Sequence, residues 1–532
     1  MEKLLKSRLI AAAGVLAVAQ FPEPLLAQHM HMPGMVMPAP AKPAAKKPAV
    51  KKPAAKKPSA KKPSPAQKRA SKPKPAGGNA PKAGQPPVMD HSAMGHENMP
   101  MAPAPGASPP DASMDHSGMP HETMGGPEHS GHAMAMSGEA HGGHAMEMKA
   151  ALGPYPVTRE ASGTAWQPDS SEHVGIMAMR GDWMLMGHGL LNLVYDHQSG
   201  RRGDDKAFAS GMLMGMAQRP LGNGTLELRA MVSPDPLMGK RGYPLLLASG
   251  ETANGRDRLI DRQHPHDFFM ELSGSVSQNF GRNSSAFLYA ALPGEPAFGP
   301  PAFMHREAIL DSPEAPISHH WLDSTHISFG VLTAGVVFNR VKVEASRFNA
   351  REPDQHRLNI ETGPLDSTAV RVSWNPTREL SLQGSWGHFV DPEQLEPGVD
   401  QKRWSASLLY ARELAPGWKF AGTLAWGRKT IDHHDDDAFV AEASVKNGGW
   451  TIFGRGEMTE NRELVEDPDH EGPAYRVGKA SLGAVRDFAI GKNLSLGAGG
   501  LFAVNFVPDS LAPLYGGRNP TGAMAFVRLK LN

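Results

Sequence analysis

Residues 523–531, Ala-Met-Ala-Phe-Val-Arg-Leu-Lys-Leu, contain the pattern that decides the fold. The odd-numbered residues are all apolar, whereas Arg528 and Lys530 fall on the alternate face. Because side chains of a β-strand alternate between the two faces of its sheet, this period of two predicts a strand with one apolar and one charged side. The same alternation recurs within residues 341–346, 403–410 and 450–457. Apolar faces that point outward around a polar interior are typical of a transmembrane β-barrel.

The connections between the predicted strands alternate between short and long. These short turns alternate along the chain with connections that are longer and polar, and they lie at 220–223, 281–283, 339–340, 376–379, 413–417, 447–449 and 489–493. Periplasmic turns and extracellular loops of a barrel produce this alternation, whereas a Greek-key sandwich does not. We therefore predict an all-β fold, a transmembrane antiparallel β-barrel of about 16 strands within residues 165–532, and leave open an extra strand in Met177–Met186. The predicted strands are 182–197, 206–219, 224–233, 267–280, 284–293, 325–338, 341–350, 366–376, 380–390, 401–412, 418–429, 437–446, 450–461, 475–488, 494–505 and 522–531.

Residues 1–27 have the pattern of a cleaved export signal. Lys3, Lys6 and Arg8 precede an apolar run of eleven residues, and a small residue stands at Ala27. Such a run is too short to cross a bilayer as a helix, which needs about 20 residues. With an even strand count, both ends of the barrel face the periplasm. We expect a protein in the cell outer membrane, in contact with its lipid, with an N-terminal arm in the periplasm.

The arm begins with a short Met/His-rich start, residues 28–41, followed by a Lys/Pro/Ala-rich linker at residues 42–85. Proline at every fifth position and repulsion among the lysines prevent packing, so an extended tether is predicted. A basic run of this kind would ordinarily suggest nucleic-acid binding. Export to the periplasm removes that partner, and we expect no nucleic acid.

Residues 86–149 combine methionine and histidine at high density. Two units, starting at Met89 and Met114, share the pattern M-D-H-S-x-M-x-H-E-x-M, and no Leu, Ile or Val occurs between Asp90 and Met148. Without such residues no core can form, so this segment is predicted to be disordered unless a metal organises it. The candidate metal ligands are Met89, His91, Met94, His96, Met99, Met114, His116, Met119, His121, Met124, His129, His132, Met134, Met136, His141, His144, Met146 and Met148.

The two ligand types together favour copper. Thioether sulfur is a soft donor that suits Cu(I) or Ag(I), and imidazole also suits Cu(II), whereas zinc or nickel would use the histidines and ignore the methionines. The chain has no cysteine, which excludes disulfides, thiolate zinc sites, iron–sulfur clusters and blue-copper centres.

The M-D-H-S-x-M units resemble those of the outer-membrane copper-resistance protein B family. Similar Met-rich insertions occur in periplasmic copper-resistance multicopper oxidases, but their type-1 copper site needs a cysteine that this chain lacks. The resemblance covers roughly residues 86–149. It implies copper ions as the ligand, as Cu(I), Cu(II) or both, with silver as an alternative. It also implies a role in copper sequestration, tolerance or homeostasis, with periplasmic copper-handling proteins as candidate partners.

Histidines also cluster on the two longest loops of the predicted barrel. His264, His266, His305, His319 and His320, with His326 shortly after, offer donors for Cu(II) or Zn(II), but solvated loop positions or lumen hydrogen bonds are the favoured explanation. A further acidic and histidine-containing run lies at residues 432–437.

No hydrolase, nucleotide-binding or metalloprotease motif is present, so we predict that the protein is not an enzyme. The alternatives are a general or substrate-selective porin whose arm is only a tether, and a surface adhesin or structural protein.

Overall fold

The computed structural model describes residues 150–172, 175–465 and 472–531. The predicted signal peptide, linker and Met/His-rich segment lie outside this range. Helical turns occur at Val157–Arg159, Asp235–Met238, Phe303–His305, His319–Leu322, Ser324–His326 and Ala512–Tyr515. The strands are β1 (Ile176–Arg180), β2 (Trp183–Gln198), β3 (Asp205–Leu221), β4 (Gly224–Val232), β5 (Tyr243–Thr252), β6 (Arg258–Gln263), β7 (Phe269–Gly281), β8 (Ser284–Gly294), β9 (Ser328–Phe338), β10 (Val341–Phe348), β11 (Ser367–Trp374), β12 (Leu380–Phe389), β13 (Gln401–Ala415), β14 (Trp418–Ile431), β15 (His434–Asn447), β16 (Trp450–Asn461), β17 (Tyr475–Gly491), β18 (Leu494–Phe506) and β19 (Thr521–Leu531).

Sixteen of these strands form one closed antiparallel barrel, which confirms the predicted fold. β2, β3, β4 and β7 to β19 pair in sequence order, with β4 hydrogen-bonded directly to β7. The barrel closes through β19 and β2, in a register that places Ala525 opposite Tyr195. β1 adds a hairpin strand to the first half of β2, which settles the alternative left open at Met177–Met186. Among the described residues, no helix is long and apolar enough to cross a membrane.

Strand β19, whose alternation predicted the fold, has one exposed apolar face and one mostly buried face that carries the charged residues. Val527 in β19 is 48% exposed, whereas its neighbour Arg528 is 1% exposed. Outward positions of the other strands likewise carry exposed Leu, Val, Phe and Trp side chains. Because apolar side chains point out and charged ones point in, the outer surface suits lipid and the inner wall is polar.

Three segments of the chain fold into the interior of the barrel. They are residues 150–172, the hairpin of β5 and β6, and residues 295–327, which we call the inward segment. Leu245, Leu246 and Leu247 of the hairpin are fully buried. The sequence predicted the last two segments as extracellular loops, but both pack against the inner wall.

Ion pairs hold the inward segment to the wall. The wall residues involved are themselves buried, so each charge is compensated inside the lumen rather than by bulk water. Periodicity alone does not predict these contacts, because each joins residues far apart in the chain. The pairs are Glu295 with Arg371 at 3.3 Å, Arg306 with Glu442 at 2.8 Å, Asp311 with Arg528 at 2.7 Å, and Glu314 with Arg455 at 3.4 Å.

Candidate metal centre

Three histidines from two separate parts of the chain meet inside the barrel. His266 precedes β7, whereas His319 and His326 belong to the inward segment. One ring nitrogen of each lies within 4.8 Å of the others, and all three side chains are buried. We call these residues the His triad. Three converging imidazoles at this spacing can hold one transition-metal ion.

A fixed hydrogen bond orients each ring of the His triad. Nδ1 of His266 lies 2.8 Å from a carboxylate oxygen of Asp235. Asp323 orients the other two rings. Its carboxylate lies 2.9 Å from Nδ1 of His319, and its backbone carbonyl oxygen lies 2.7 Å from Nδ1 of His326. Metal-binding histidines typically use one ring nitrogen in this way and present the other to the metal.

The remaining nitrogens of two triad rings are buried without a hydrogen bond. Nε2 of His266 and Nε2 of His326 have no partner among the residues that the structure describes. A buried polar atom without a partner costs free energy, because it loses its hydrogen bonds to water. A metal ion bound by these nitrogens would remove that cost.

His264 and His320 flank the triad and are engaged with acids. The His264 ring centroid lies 5.5 Å from that of His320, and its Nε2 lies 3.0 Å from Glu251. Nδ1 of His320 lies 3.0 Å from Glu352. Gly250 permits the close approach of His320, because a Cβ at this position would lie 2.7 Å from the ring. These two imidazoles therefore extend the cluster to five rings.

Burial sets the charge of most of these imidazoles. It lowers the pKa of His319 and places the pKa values of His264 and His326 well below the ordinary histidine value. Burial also opposes the charged form of His320, but Glu352 outweighs it and raises the pKa of His320. Neutral imidazoles can accept a metal ion without first losing a proton.

The structure separates the histidines that the sequence grouped. It brings His264, His266, His319, His320 and His326 together, whereas His305 lies beside His188 of β2, with ring centroids 6.2 Å apart. His433 and His434, in the run at 432–437, are exposed at the tight turn between β14 and β15. The candidate ligands of the arm, from Met89 to Met148, lie outside the described residues.

Sequence analysis missed the acids that orient the triad. Asp235 lies 31 residues before His266, so no local motif joins them. Asp323 could have been found, since it follows His319 by four residues in one short segment. A second acidic group, Glu393, Glu396 and Glu463, already surrounds the Arg258 guanidinium at 2.5 to 3.2 Å. That guanidinium pairs with all three carboxylates, so this group is an ion-pair cluster.

A closed barrel of sixteen antiparallel strands with an apolar outer face defines a transmembrane β-barrel of the outer-membrane class. No family model and no curated protein matches the sequence. Similar solved structures include an anion-selective porin from Comamonas acidovorans, at 14% identity over 66% of this chain and 100% of the porin, with a TM-score of 0.39. They also include OmpF of Salmonella typhi in complex with daunomycin, at 10% identity over 67% of this chain and 100% of that one, with a TM-score of 0.43. OmpT of Vibrio cholerae is 7% identical over 67% of this chain and 100% of its own, with a TM-score of 0.37.

Proposed function

We propose that this protein is an outer-membrane barrel that binds copper and acts in copper sequestration, tolerance or homeostasis. The observation that carries the proposal is the His triad, in which three buried rings converge and two present unpartnered nitrogens among the described residues. The periplasmic arm would capture copper with its Met/His units, and the lumen site would hold it.

The chemistry of the two regions favours copper over other metals. Imidazole alone suits Cu(II), Zn(II) and Ni(II), so the triad by itself does not choose among them. Residues 28–149 hold 15 of the 29 methionines, and thioethers add nothing to zinc or nickel binding. Copper is the metal that both donor sets accept.

A general or substrate-selective porin is the alternative function. A lumen lined by charge without methionine or histidine would favour it. The lumen contains both residue types, since Met214, Met231 and Met270 are buried in it as well as the His triad, and three segments of the chain fold into it. The copper proposal therefore accounts for more of the interior than the porin alternative does.

Growth across a copper series tests the proposal. One variant is an arm-substituted chain, in which every Met and His of residues 28–149 is replaced by Leu and Gln respectively. The other carries His266→Gln, His319→Gln and His326→Gln. The matched control is His433→Gln with His434→Gln, which removes two exposed histidines from the same barrel.

We expect both test variants to lose copper tolerance while their barrels still assemble, and the control to grow like the intact protein. Unchanged tolerance in both test variants would contradict the proposal. Paramagnetic resonance of Cu(II) bound to the arm-substituted chain should show nitrogen ligands, and this signal should disappear when the three triad substitutions are added to the same arm-substituted chain.

A further inference from the structure

Six methionines gather beside the His triad, five of them on the inner wall and one on the inward segment. Met212, Met214 and Met216 alternate along β3, so all three point into the lumen. Met231 of β4 lies opposite Met214 in the strand register. Met270 and Met304 complete the group, in which Met214, Met231 and Met270 are buried and the other three pack against them. We call these six residues the methionine pocket.

This concentration is unusual for the interior of this barrel. Residues 150–532 contain 13 methionines, and nearly half of them belong to this one pocket. Ile327 and Phe329 are its only other buried members among the described residues, whereas the other buried clusters are built mainly from Leu, Val, Phe, Tyr and Ala. Apolar packing alone does not require sulfur at six neighbouring positions.

An imidazole adjoins the methionine pocket. His305 follows Met304 directly in the chain, and its Nε2 is buried with no hydrogen-bond partner in the described part of the protein. Its ring lies 6.2 Å from that of His188, which is opposite Met214 in the register of β2 and β3. The pocket thus combines several thioethers with an unpartnered ring nitrogen.

Phe303 separates this group from the His triad. Its ring lies 5.7 Å from that of His319 and 6.1 Å from that of His266, and the next two residues are Met304 and His305. One helical turn therefore contributes an aromatic ring to the triad and two potential ligands to the methionine pocket. The two donor sets are neighbours but differ in chemistry.

We propose that Met214, Met231 and Met270, together with His305, form a second metal site, which takes the monovalent soft ions Cu(I) and Ag(I). This inference deepens the proposed function and rests on copper being the cargo of the barrel. Thioether sulfur is soft and uncharged, so it selects these ions over Cu(II) and Zn(II). The lumen then offers one site for each oxidation state of copper, with imidazoles for Cu(II) and thioethers for Cu(I).

Silver binding to the arm-substituted chain tests the second site. Silver nitrate in chloride-free buffer is the probe, since Ag(I) has the softness and charge of Cu(I) and does not change oxidation state under these conditions. The test variant carries Met214→Leu, Met231→Leu and Met270→Leu. The matched control carries Met238→Leu and Met524→Leu, because these methionines are equally buried but belong to a different cluster. Leu for Met conserves volume, so both variants should retain the fold.

We expect the control to bind one tight equivalent of Ag(I) and the test variant to lose it. A His305→Gln chain should bind Ag(I) at least about tenfold more weakly, since it loses one ligand but keeps the thioethers. Equal Ag(I) binding by the test variant and the control would overturn the proposal. Should the triple variant fail to assemble, Met231→Leu alone is measured against Met238→Leu; Ag(I) binding at least about tenfold weaker is expected, and equal binding would overturn the proposal.

The test of the second metal site can fail independently of the test of the proposed function. Triad substitutions should abolish the Cu(II) signal and leave Ag(I) binding intact, whereas pocket substitutions should do the reverse. Loss of Ag(I) binding in the triad variant but not in the pocket variant would place the soft ion at the imidazoles and refute the second site. Absence of Cu(II) binding with Ag(I) binding retained would refute the triad and support the pocket.

Discussion

Replacing Asp323 by Asn tests whether the His triad is built to bind metal. The Asp323 carboxylate lies 2.9 Å from Nδ1 of His319 and also pairs with Arg306 at 2.5 Å. Asn has the same shape but no charge, so His319 loses the anion that fixes its ring and makes it a better donor. Loss of such a partner typically weakens metal affinity by about 10 to 100-fold, or roughly 1.4 to 2.7 kcal/mol. The backbone carbonyl that orients His326 is unchanged, so we expect a loss within this range rather than abolition.

The assay is competition for Cu(II) between a chelator of known affinity and the arm-substituted chain. The control is Asp354→Asn, which removes a similar carboxylate, 2.8 Å from Nδ1 of the exposed His356. We expect the control to bind Cu(II) like the parent chain. Equal affinities in the Asp323→Asn, Asp354→Asn and parent chains would refute the assignment of the triad as a metal site, as would an equal loss in both variants.

Three further perturbations probe the interior. Arg306→Met leaves two buried carboxylates without their cation, so the free energy of unfolding in detergent should fall by about 3–5 kcal/mol; a denaturation midpoint that does not move would contradict this. Gly250→Ala places a Cβ 2.7 Å from the His320 ring at a φ of 113°, so the midpoint should also fall, and unchanged stability would show that the ring can shift freely. Burial alone would raise the pKa of Asp311, but Lys446 and Arg528 hold this pKa below its usual range. Its contribution to stability is therefore present above about pH 4 and lost as the pH falls further, and Asp311→Asn should flatten this acid limb of a pH–stability curve.

The barrel could be predicted from local pattern because each strand reports its own environment. In β19 the alternation of apolar residues with Arg528 and Lys530 already specifies which face meets lipid. All sixteen predicted strands are present, with ends that differ by three residues or fewer, because turns and alternation are both short-range signals. The hairpin of β5 and β6 was missed, since its first strand is buried on both faces and shows no alternation.

The candidate site could be predicted only in part. The histidines were visible as clusters, but their meeting depends on contacts between His266 and the inward segment that are about 50 residues apart in the chain. Nothing local indicates that Asp235 will orient His266, or that His305 will lie apart from His319 and His320. The alternation of Met212, Met214 and Met216 did contain a usable signal, because residues two apart on a strand share a face.

The attachment of the inward segment and the geometry of the His triad depend on the same residue. Arg306 joins Glu442 of the wall to Asp323, and Asp323 in turn orients His319 and His326. A hydrophobic anchor could hold the segment equally well, since buried ion pairs are seldom more stabilising than apolar residues of the same volume. What the ion pair adds is a defined position for a carboxylate, and through it a defined direction for an imidazole. The wall therefore determines the triad geometry through Asp323, so any change that loosens Arg306 should weaken metal binding as well as the fold.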